Sequence, residues 1–477
     1  MPVNTFRLGQ LLLAASMMQG FASYGLPMSA NAQSIETYDE GSDPVFAEPA
    51  GNEVDDETAM RDAIALSPRQ QIRAARIAPG EPLAASNQRR EAVQGGSPSA
   101  DGADAFGQNG FRLGGFDGAL SIRQSIGYSD NLSQSANGSS GGFSQTSGSL
   151  SLTTDWSRHQ LQNNVVFSYQ KPFDDSSEDR PELLVDSALR LDLIDGMTLT
   201  TRGFYDLRTQ SVTDSTLAPG AIDRPFQQSY GGSVSLERTD RKLQFEIRGS
   251  FERNIFADAD LGGGVIQSQE DRNNNELRIA ARVGYETSAA FTPFVEAEYG
   301  TREYDLSLDR NGNRRDSTIL ELRGGLEIDL GEKLTGEISV GQVTEQFDDP
   351  ALGDLTGVTA NGRLEWSPER DTQVGLTLST ETSDSITANS SGSVIYNGRL
   401  DVNRQLTSRA SATAFADIRL NNNITNETLT TFGVGMQYWV NRFVAVTADI
   451  EHSRFNSDDT SNSFDETRGQ LGVRLER

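Results

Sequence analysis

The sequence predicts an all-β protein, a closed antiparallel transmembrane β-barrel of about 18 strands with a largely disordered N-terminal extension. Three observations support this fold class. Between residues 114 and 477, segments of about 12 residues place an apolar or aromatic side chain at every second position. Tight polar turns alternate with longer loops rich in Asn, Asp, Ser and Gly. The N-terminus has the features of a secretory signal, and no later segment offers about 18 consecutive apolar residues.

Residues 1–32 are predicted to be a cleaved signal peptide. Arg7 supplies a positive charge before the apolar stretch Leu11–Met18, and Ala30–Ala32 has the small residues that a cleavage site requires. Gln33 is then the expected first residue of the mature chain. A secreted chain with strand-type alternation and without an apolar helix indicates the outer membrane.

Residues 33–113 are predicted to form a flexible periplasmic extension or a plug that inserts into the lumen. The first part of this region is acidic, whereas Arg69, Arg73 and Arg76 belong to its more basic second part. Pro, Gly, Ala and Ser are spread throughout, a composition that is typical of disordered segments. The sequence leaves the choice between a disordered extension and a plug open.

The composition excludes several classes of function. Only 35% of the 477 residues are hydrophobic, which is little for the several packed cores of a soluble chain of this length. The net charge of −27 disfavours nucleic acid, whose phosphates require clusters of Lys and Arg. Because Cys is absent, disulfides and thiolate metal sites are excluded.

The barrel region, residues 114–477, divides into segments whose apolar side chains share one phase. Because side chains in a strand alternate between two faces, each segment has one apolar face and one polar face. Asp195 and Gly196 form the strongest hairpin signal between two such segments. No loop has the length expected of a large constriction loop. In chain order, the apolar phases of the eighteen segments begin at Phe116, Leu150, Leu161, Leu183, Met197, Tyr230, Leu243, Leu277, Val295, Leu320, Leu334, Val358, Val374, Val394, Ala412, Phe432, Val444 and Leu471.

The opposite phase is charged and is predicted to face the lumen. It mixes both signs, with a surplus of carboxylates. A barrel of about 18 strands is wide enough for an aqueous channel, so this phase predicts the pore lining. The pore-lining candidates are Glu182, Asp186, Arg190, Asp192, Glu246, Arg248, Arg278, Arg282, Glu296, Glu298, Glu321, Arg323, Arg363, Glu365, Arg399, Asp401, Asp417 and Arg419.

Aromatic residues are sorted by the predicted direction of each strand. Amphipathic rings settle at membrane–water interfaces, so this distribution predicts two aromatic girdles around the barrel. The outer girdle would lie at the ends of outward-running strands, and the inner girdle would lie close to the periplasmic turns. The girdle candidates are Tyr128, Trp156, Tyr169, Tyr205, Phe251, Tyr299, Trp366 and Tyr438.

Nothing in the sequence indicates an enzyme. Acyl-transfer and hydrolytic sites generally need a His beside a nucleophile, and neither His159 nor His452 falls on a lumenal strand position. His159 is expected in a periplasmic turn and His452 on the lipid face. The segment beginning at Asp309 resembles the start of a calcium loop, but Arg314 and Leu320 replace its Gly and Glu. The sequence therefore predicts no catalytic, cofactor-binding or metal site.

The charged lumen predicts a channel for small solutes or ions with a mild preference for cations. The alternative is a structural or adhesive surface protein whose side chains close the lumen. The expected surroundings are outer-membrane lipid and lipopolysaccharide, and the expected partner during biogenesis is the barrel-assembly machinery. No nucleic acid is expected as a partner.

The chain resembles the putative β-barrel porin family of Gram-negative outer membranes. The resemblance rests on the signal peptide, the polar extension and the strand start Phe116–Ile122, and it covers residues 114–477. It implies transport across the outer membrane. Because members of that family are often associated with exopolysaccharide genes, it also implies a role in saccharide passage and export components as partners.

Overall fold

The structure is a computed structural model that describes residues 110–154, 156–174, 178–194, 196–214, 217, 221–383, 390–422, 426–458 and 462–477. The predicted signal peptide and almost all of the predicted extension lie outside these residues. The described chain is dominated by one antiparallel sheet. No helix in it is long and apolar enough to cross a membrane.

Eighteen long strands, β1 to β18, form the sheet. Strands β1 to β9 are Phe116–Ser129, Gly141–Thr154, His159–Pro172, Arg180–Asp192, Met197–Thr209, Phe226–Asp240, Leu243–Phe256, Asn274–Tyr285 and Phe291–Tyr304. Strands β10 to β18 are Ser317–Asp329, Leu334–Phe347, Leu355–Glu369, Thr372–Ser383, Ser393–Thr407, Ala410–Asn422, Asn426–Asn441, Val444–Ser457 and Phe464–Glu476.

The sheet closes on itself. Each strand pairs with the next, and β18 pairs with β1 from Ser121 opposite Glu476 to Ser129 opposite Arg468. At the seam, the Leu120 and Arg477 backbones exchange hydrogen bonds of 2.8 and 2.9 Å. Closure gives every barrel strand two partners, which removes the unpaired edges that lipid cannot satisfy. The prediction of a closed antiparallel barrel of about 18 strands is therefore confirmed.

The two ends of the barrel differ in their connections. The short-turn end carries residues 155–158, 193–196, 241–242, 286–290, 330–333, 370–371, 408–409 and 442–443. The long-loop end carries residues 130–140, 173–179, 210–225, 257–273, 305–316, 348–354, 384–392, 423–425 and 458–463. A short strand, Phe111–Leu113, folds back on the start of β1 at the short-turn end. The loop 257–273 contains a hairpin of Ala259–Asp260 with Ile266–Gln267 and the 3-10 helix Glu270–Arg272.

The turns use residues that tolerate left-handed backbone. Gly196 has φ +69°, in the turn where the sequence places its strongest hairpin signal. The turn between β6 and β7 consists of residues 241 and 242. The ladder extends until Asp240 pairs with Leu243, and Arg241 takes the left-handed conformation with φ +55°. Strands β6 and β7 therefore remain paired up to the two residues of the turn.

The outward face is apolar, as the alternation predicts. Ile126, Val340 and Leu471 are 63%, 62% and 67% exposed, whereas neighbouring inward side chains such as Ser125 and Ser339 are buried. Burial alternates in the same way along β8 and β9. A face of this kind is stable when hydrocarbon surrounds it.

Candidate functional site

The inward face of the barrel has two unlike walls. On the inward face of β7–β11, here called the charged wall, Arg and Glu side chains pack against one another and are buried. On the inward face of β1–β5 and β15–β18, here called the cavity wall, the side chains leave open space. Charged side chains line both walls.

The charged wall is built on one row of opposite charges. The strand register places Glu246 opposite Arg282, Arg282 opposite Glu296, and Glu296 opposite Arg323. Directly opposed side chains on one face are close enough to interact, so alternating signs across four strands attract one another. The pattern follows from the shared phase of these residues and from the lengths of the hairpins between them.

Glu296 is the centre of this row. It is 1% exposed and accepts hydrogen bonds from Arg248 at 2.7 Å and from Arg323 at 2.5 Å. The Arg282 Nε also donates to its carboxylate. Arg282 Nη1 also donates to Glu337 of β11 at 2.9 Å, so the contacts of Arg282 link β8 with both β9 and β11. Three buried guanidinium groups therefore share this one carboxylate as an acceptor.

A second cluster lies closer to the long-loop end of the charged wall. Arg302 contacts Glu276 at 2.9 Å and Glu345 at 2.8 Å, and Glu345 is fully buried. Arg278 pairs with Glu276 and donates to Glu298 at 2.7 Å. Because both clusters are dry and cross-linked, the charged wall holds its side chains in one arrangement.

The cavity wall surrounds a partly open cavity of about 100 Å³. Two ion pairs stand in it: Arg123 with Asp449, and Arg468 with Glu451 at 2.7 Å. Phe415 lies on the same wall and its ring faces the guanidinium of Arg399 at 4.4 Å. The inward-facing polar lining is Arg123, Gln145, Ser147, Ser149, Ser168, Glu182, Asp206, Arg208, Asp449, Glu451, Arg468 and Gln470.

One long loop crosses the mouth of the barrel. Val212, in the loop 210–225 after β5, packs against the buried cluster of Leu429, Phe455 and Phe464 on the inward faces of β16–β18. The loop thus contacts strands that are not neighbours of β5 in the sheet. The position of this loop depends on apolar contacts with residues that are distant in the sequence. Neither the length nor the polarity of a loop predicts such contacts.

The same loop is held at its other end by Arg224. The guanidinium donates to the Ser133 carbonyl at 2.8 Å and to Gln134 Oε1 at 3.1 Å, and Gln134 in turn donates to Glu466 at 2.7 Å. The backbone N–H of Arg224 donates to Glu178 Oε2 at 3.0 Å. Three loops and β18 are joined by these contacts at the long-loop end.

The predicted pore-lining residues all occupy inward-phase positions, but they do not form one lining. Eight of them, those on β7–β10, belong to the charged wall. Glu182 lies at the cavity. Arg190 pairs with Asp192 at 2.8 Å, and Arg399 pairs with Asp401 at 2.8 Å and lies 3.6 Å from Asp417. The remaining four are distributed over β4, β12 and β15: Asp186, Arg363, Glu365 and Arg419.

Several inward-facing residues are missing from the sequence-based set. Arg302 shares the phase of the predicted Glu296 and Glu298 on β9, so extending the alternation to the strand end would have found it. Glu345 and Asp206 lie opposite in phase to the apolar residues of β11 and β5, two strands on which no pore-lining residue was predicted. Phe294 and Ile319 are apolar and buried on the same inward faces. No periodic signal marks these two, because they break the polar alternation.

The predicted girdle residues take positions near both ends. Tyr128 and Tyr169 lie close to the long-loop end and are exposed, and Trp156 lies in the first short turn. Exposed aromatic side chains at the short-turn end also include Phe443 and Tyr285, which the sequence-based set does not contain. The remaining candidates lie on the outward phase of their strands: Tyr205, Phe251, Tyr299, Trp366 and Tyr438.

The two His residues stand apart from the lumen. His159 is the first residue of β3 rather than a turn residue, and its Nδ1 accepts the Asp192 backbone N–H at 3.2 Å. This position follows from its pairing with Leu191, which extends the ladder by one residue. His452 is exposed on the outward face, and its Nδ1 lies 3.0 Å from the Thr467 hydroxyl oxygen.

The segment that resembles a calcium loop is stabilised by its own contacts. Asp309 accepts hydrogen bonds from the backbone N–H groups of Asn311 and Asn313 at 2.8 and 2.9 Å, and from Arg315 at 2.6 Å. Burial alone would raise the pKa of the Asp309 carboxyl, but these donors together hold that pKa below its usual range. The Asp309 carboxylate therefore stabilises this turn through these hydrogen bonds.

The chain is similar to several solved structures at low identity. The FrpB iron transporter from Neisseria meningitidis is 9% identical with a TM-score of 0.37, over 73% of this chain and 64% of that chain. The chain thus spans slightly less than two thirds of that transporter. OccK2 from Pseudomonas aeruginosa is 12% identical with a TM-score of 0.38, over 77% and 99% of the two chains. The copper transporter OprC is 8% identical with a TM-score of 0.42, over 77% and 82%.

No curated protein sequence matches the chain. A family profile described as "Putative beta-barrel porin 2" matches residues 104–477, which include the whole barrel. The match covers far more than half of the sequence and agrees with the closed 18-stranded architecture. The chain belongs to the putative beta-barrel porin 2 family.

Proposed function

We propose that this protein is an outer-membrane channel that passes small polar solutes and ions through its lumen, with a mild preference for cations. The observation that carries the proposal is a partly open cavity of about 100 Å³, lined by charged side chains, on the inward face of a closed barrel. Its lining holds four carboxylates and three arginines: Glu182, Asp206, Asp449 and Glu451, with Arg123, Arg208 and Arg468. A surplus of negative charge in a narrow lumen attracts cations.

The proposed location follows from the predicted signal peptide and from the two ends of the barrel. Barrels of this kind place short turns in the periplasm and long loops outside the cell. The long-loop end would then meet lipopolysaccharide, and the barrel-assembly machinery would insert the chain. The proposed passage of saccharides, and a link to exopolysaccharide export, rest on the family resemblance alone.

The purified protein in a planar lipid bilayer is expected to give ohmic conductance steps. Under a potassium chloride gradient, the reversal potential should have the sign of modest cation selectivity, because carboxylates outnumber arginines at the cavity. Single-channel recording measures both quantities. Conductance that is absent, or that is clearly anion-selective, would contradict the proposal.

A second function is supported by the loop at the mouth. Val212 packs on Leu429, Phe455 and Phe464, and Arg224 fastens the same loop to Ser133 and Gln134. A mouth covered in this way suits a structural or adhesive surface protein with a closed lumen. Liposome swelling in isosmotic sugar separates the two functions, since swelling requires an open path for the solute.

The mouth contact gives a further prediction for the channel. Val212→Asp places a carboxylate against three apolar side chains, so the loop should detach and the mean conductance should rise about twofold or more. Val265→Asp is the matched control, because Val265 is exposed in the loop 257–273. Equal conductance of the two variants and the parent protein would show that the loop does not restrict the lumen.

A further inference from the structure

Three polar residues of the cavity wall form a group that the ion pairs there do not include. The register pairs Leu183 with Leu207 and Leu184 with Asp206. Continued by one residue, it places Glu182 opposite Arg208. All three polar side chains line the same cavity. Two carboxylates and one guanidinium therefore meet on neighbouring strands, and the surplus of negative charge in the cavity lies among them.

Two atoms of this group are buried and unsatisfied. Asp206 is 5% exposed, and its Oδ2 has no hydrogen-bond partner within the described ranges. Nη1 of Arg208 is likewise buried without a partner there, while Nη2 donates to Gln227 at 3.2 Å. One acceptor and one donor are thus both available at the cavity. A buried polar atom without a partner destabilises the protein, so a ligand that satisfies both atoms is favoured.

The rest of the cavity is already balanced. Arg123 is paired with Asp449, and Arg468 is paired with Glu451. These neutral pairs leave no net charge for a ligand to compensate. Hydroxyl and amide groups cover the wall beside them, from Ser147, Ser149 and Gln145. Glu182 also interacts with Arg468 and Arg180, so the unmet requirement within the described residues is a donor for Asp206 Oδ2 next to an acceptor for Arg208 Nη1.

We propose that this cavity is a binding site for small solutes that carry an ammonium group and hydroxyl groups, such as amino sugars and amino alcohols. The ammonium group has three donors and a positive charge, which suit two adjacent carboxylates. A solute hydroxyl accepts from Arg208, and further hydroxyls reach the serines of the wall. This inference deepens the proposed channel function, since such a solute would enter the cavity through the lumen.

The test is calorimetric titration of the full-length protein in detergent at slightly acidic pH, with glucosamine as the probe. Glucose and N-acetylglucosamine are the matched controls, because both keep the ring and lack the charge. Glucosamine is expected to bind about tenfold or more tightly than either control, as a charge-assisted contact would require. This comparison uses the unaltered protein, so it does not depend on the folding of a variant.

Variants locate the site. Asp206→Asn and Arg208→Gln are each expected to weaken glucosamine binding by about tenfold or more. Asp186→Asn should leave it unchanged, because Asp186 is an inward carboxylate of β4 that does not line the cavity. Equal binding of glucosamine and glucose, or equal losses for Asp206→Asn and Asp186→Asn, would overturn the site. Binding in detergent needs no conduction, so an absent conductance would contradict the channel alone.

Discussion

Replacing Glu296 by leucine is expected to destabilise the barrel by about 3–5 kcal/mol. The carboxylate is 1% exposed and accepts from Arg248, Arg282 and Arg323. Leucine has a similar size but no charge, so three buried guanidinium groups would lose the acceptor that they share. Each would keep only one other carboxylate: Glu246 for Arg248, Glu337 for Arg282 and Glu321 for Arg323. The cost comes from the charges that remain rather than from the volume that is lost.

The matched control is Glu369→Leu, which removes a carboxylate from an ion pair at the short-turn end. The side chains of Arg404 and Glu369 are 56% and 68% exposed and lie 3.4 Å apart. Such a pair contributes about 0–1 kcal/mol. Urea unfolding of protein that has been folded into lipid vesicles measures both changes. Similar losses for the two variants would show that the charged wall is solvated rather than dry.

The alternation of apolar and polar residues predicted the fold, because every strand has one face toward lipid and one toward the lumen. Each strand therefore repeats the same two-residue pattern. Leu471 and Glu296 could be placed on opposite faces without any knowledge of their neighbours. The face on which a residue lies does not determine which residue of the next strand is opposite it, however. That Glu296 meets Arg282 and Arg323, and not other inward arginines, depends on where each hairpin turns. The sequence therefore predicted the charged face but not the network.

Contacts between distant segments were also beyond prediction. Val212 and Leu429 are more than two hundred residues apart, and nothing in the polar loop 210–225 indicates that one of its side chains finds an apolar cluster. Asp206 was missed for a different reason, since it lies on the predicted inward phase of β5 and was not singled out among the charges there. Its significance comes from an absent partner, which only the three-dimensional arrangement reveals.

Replacing Leu471 by arginine is expected to cost about 2–4 kcal/mol of folding free energy in a bilayer. Leu471 lies near the middle of β18, faces outward and is 67% exposed. The membrane hydrocarbon would surround an arginine there, and no carboxylate is opposite it, since its partners across the sheet are Ile126 and Ala448. The charge would have to reach an interface several residues away.

The neighbouring residue supplies the control at the same depth. Gln470 faces the cavity and lies opposite Asp449, so Gln470→Arg gains a nearby carboxylate in a solvated lumen and should cost far less. Unfolding in urea from vesicles gives the two free energies, and heat-modifiable gel mobility shows that both variants have folded. If the two substitutions lowered the free energy of unfolding equally, the two faces would be in the same solvent. The barrel would then not be one that crosses a bilayer.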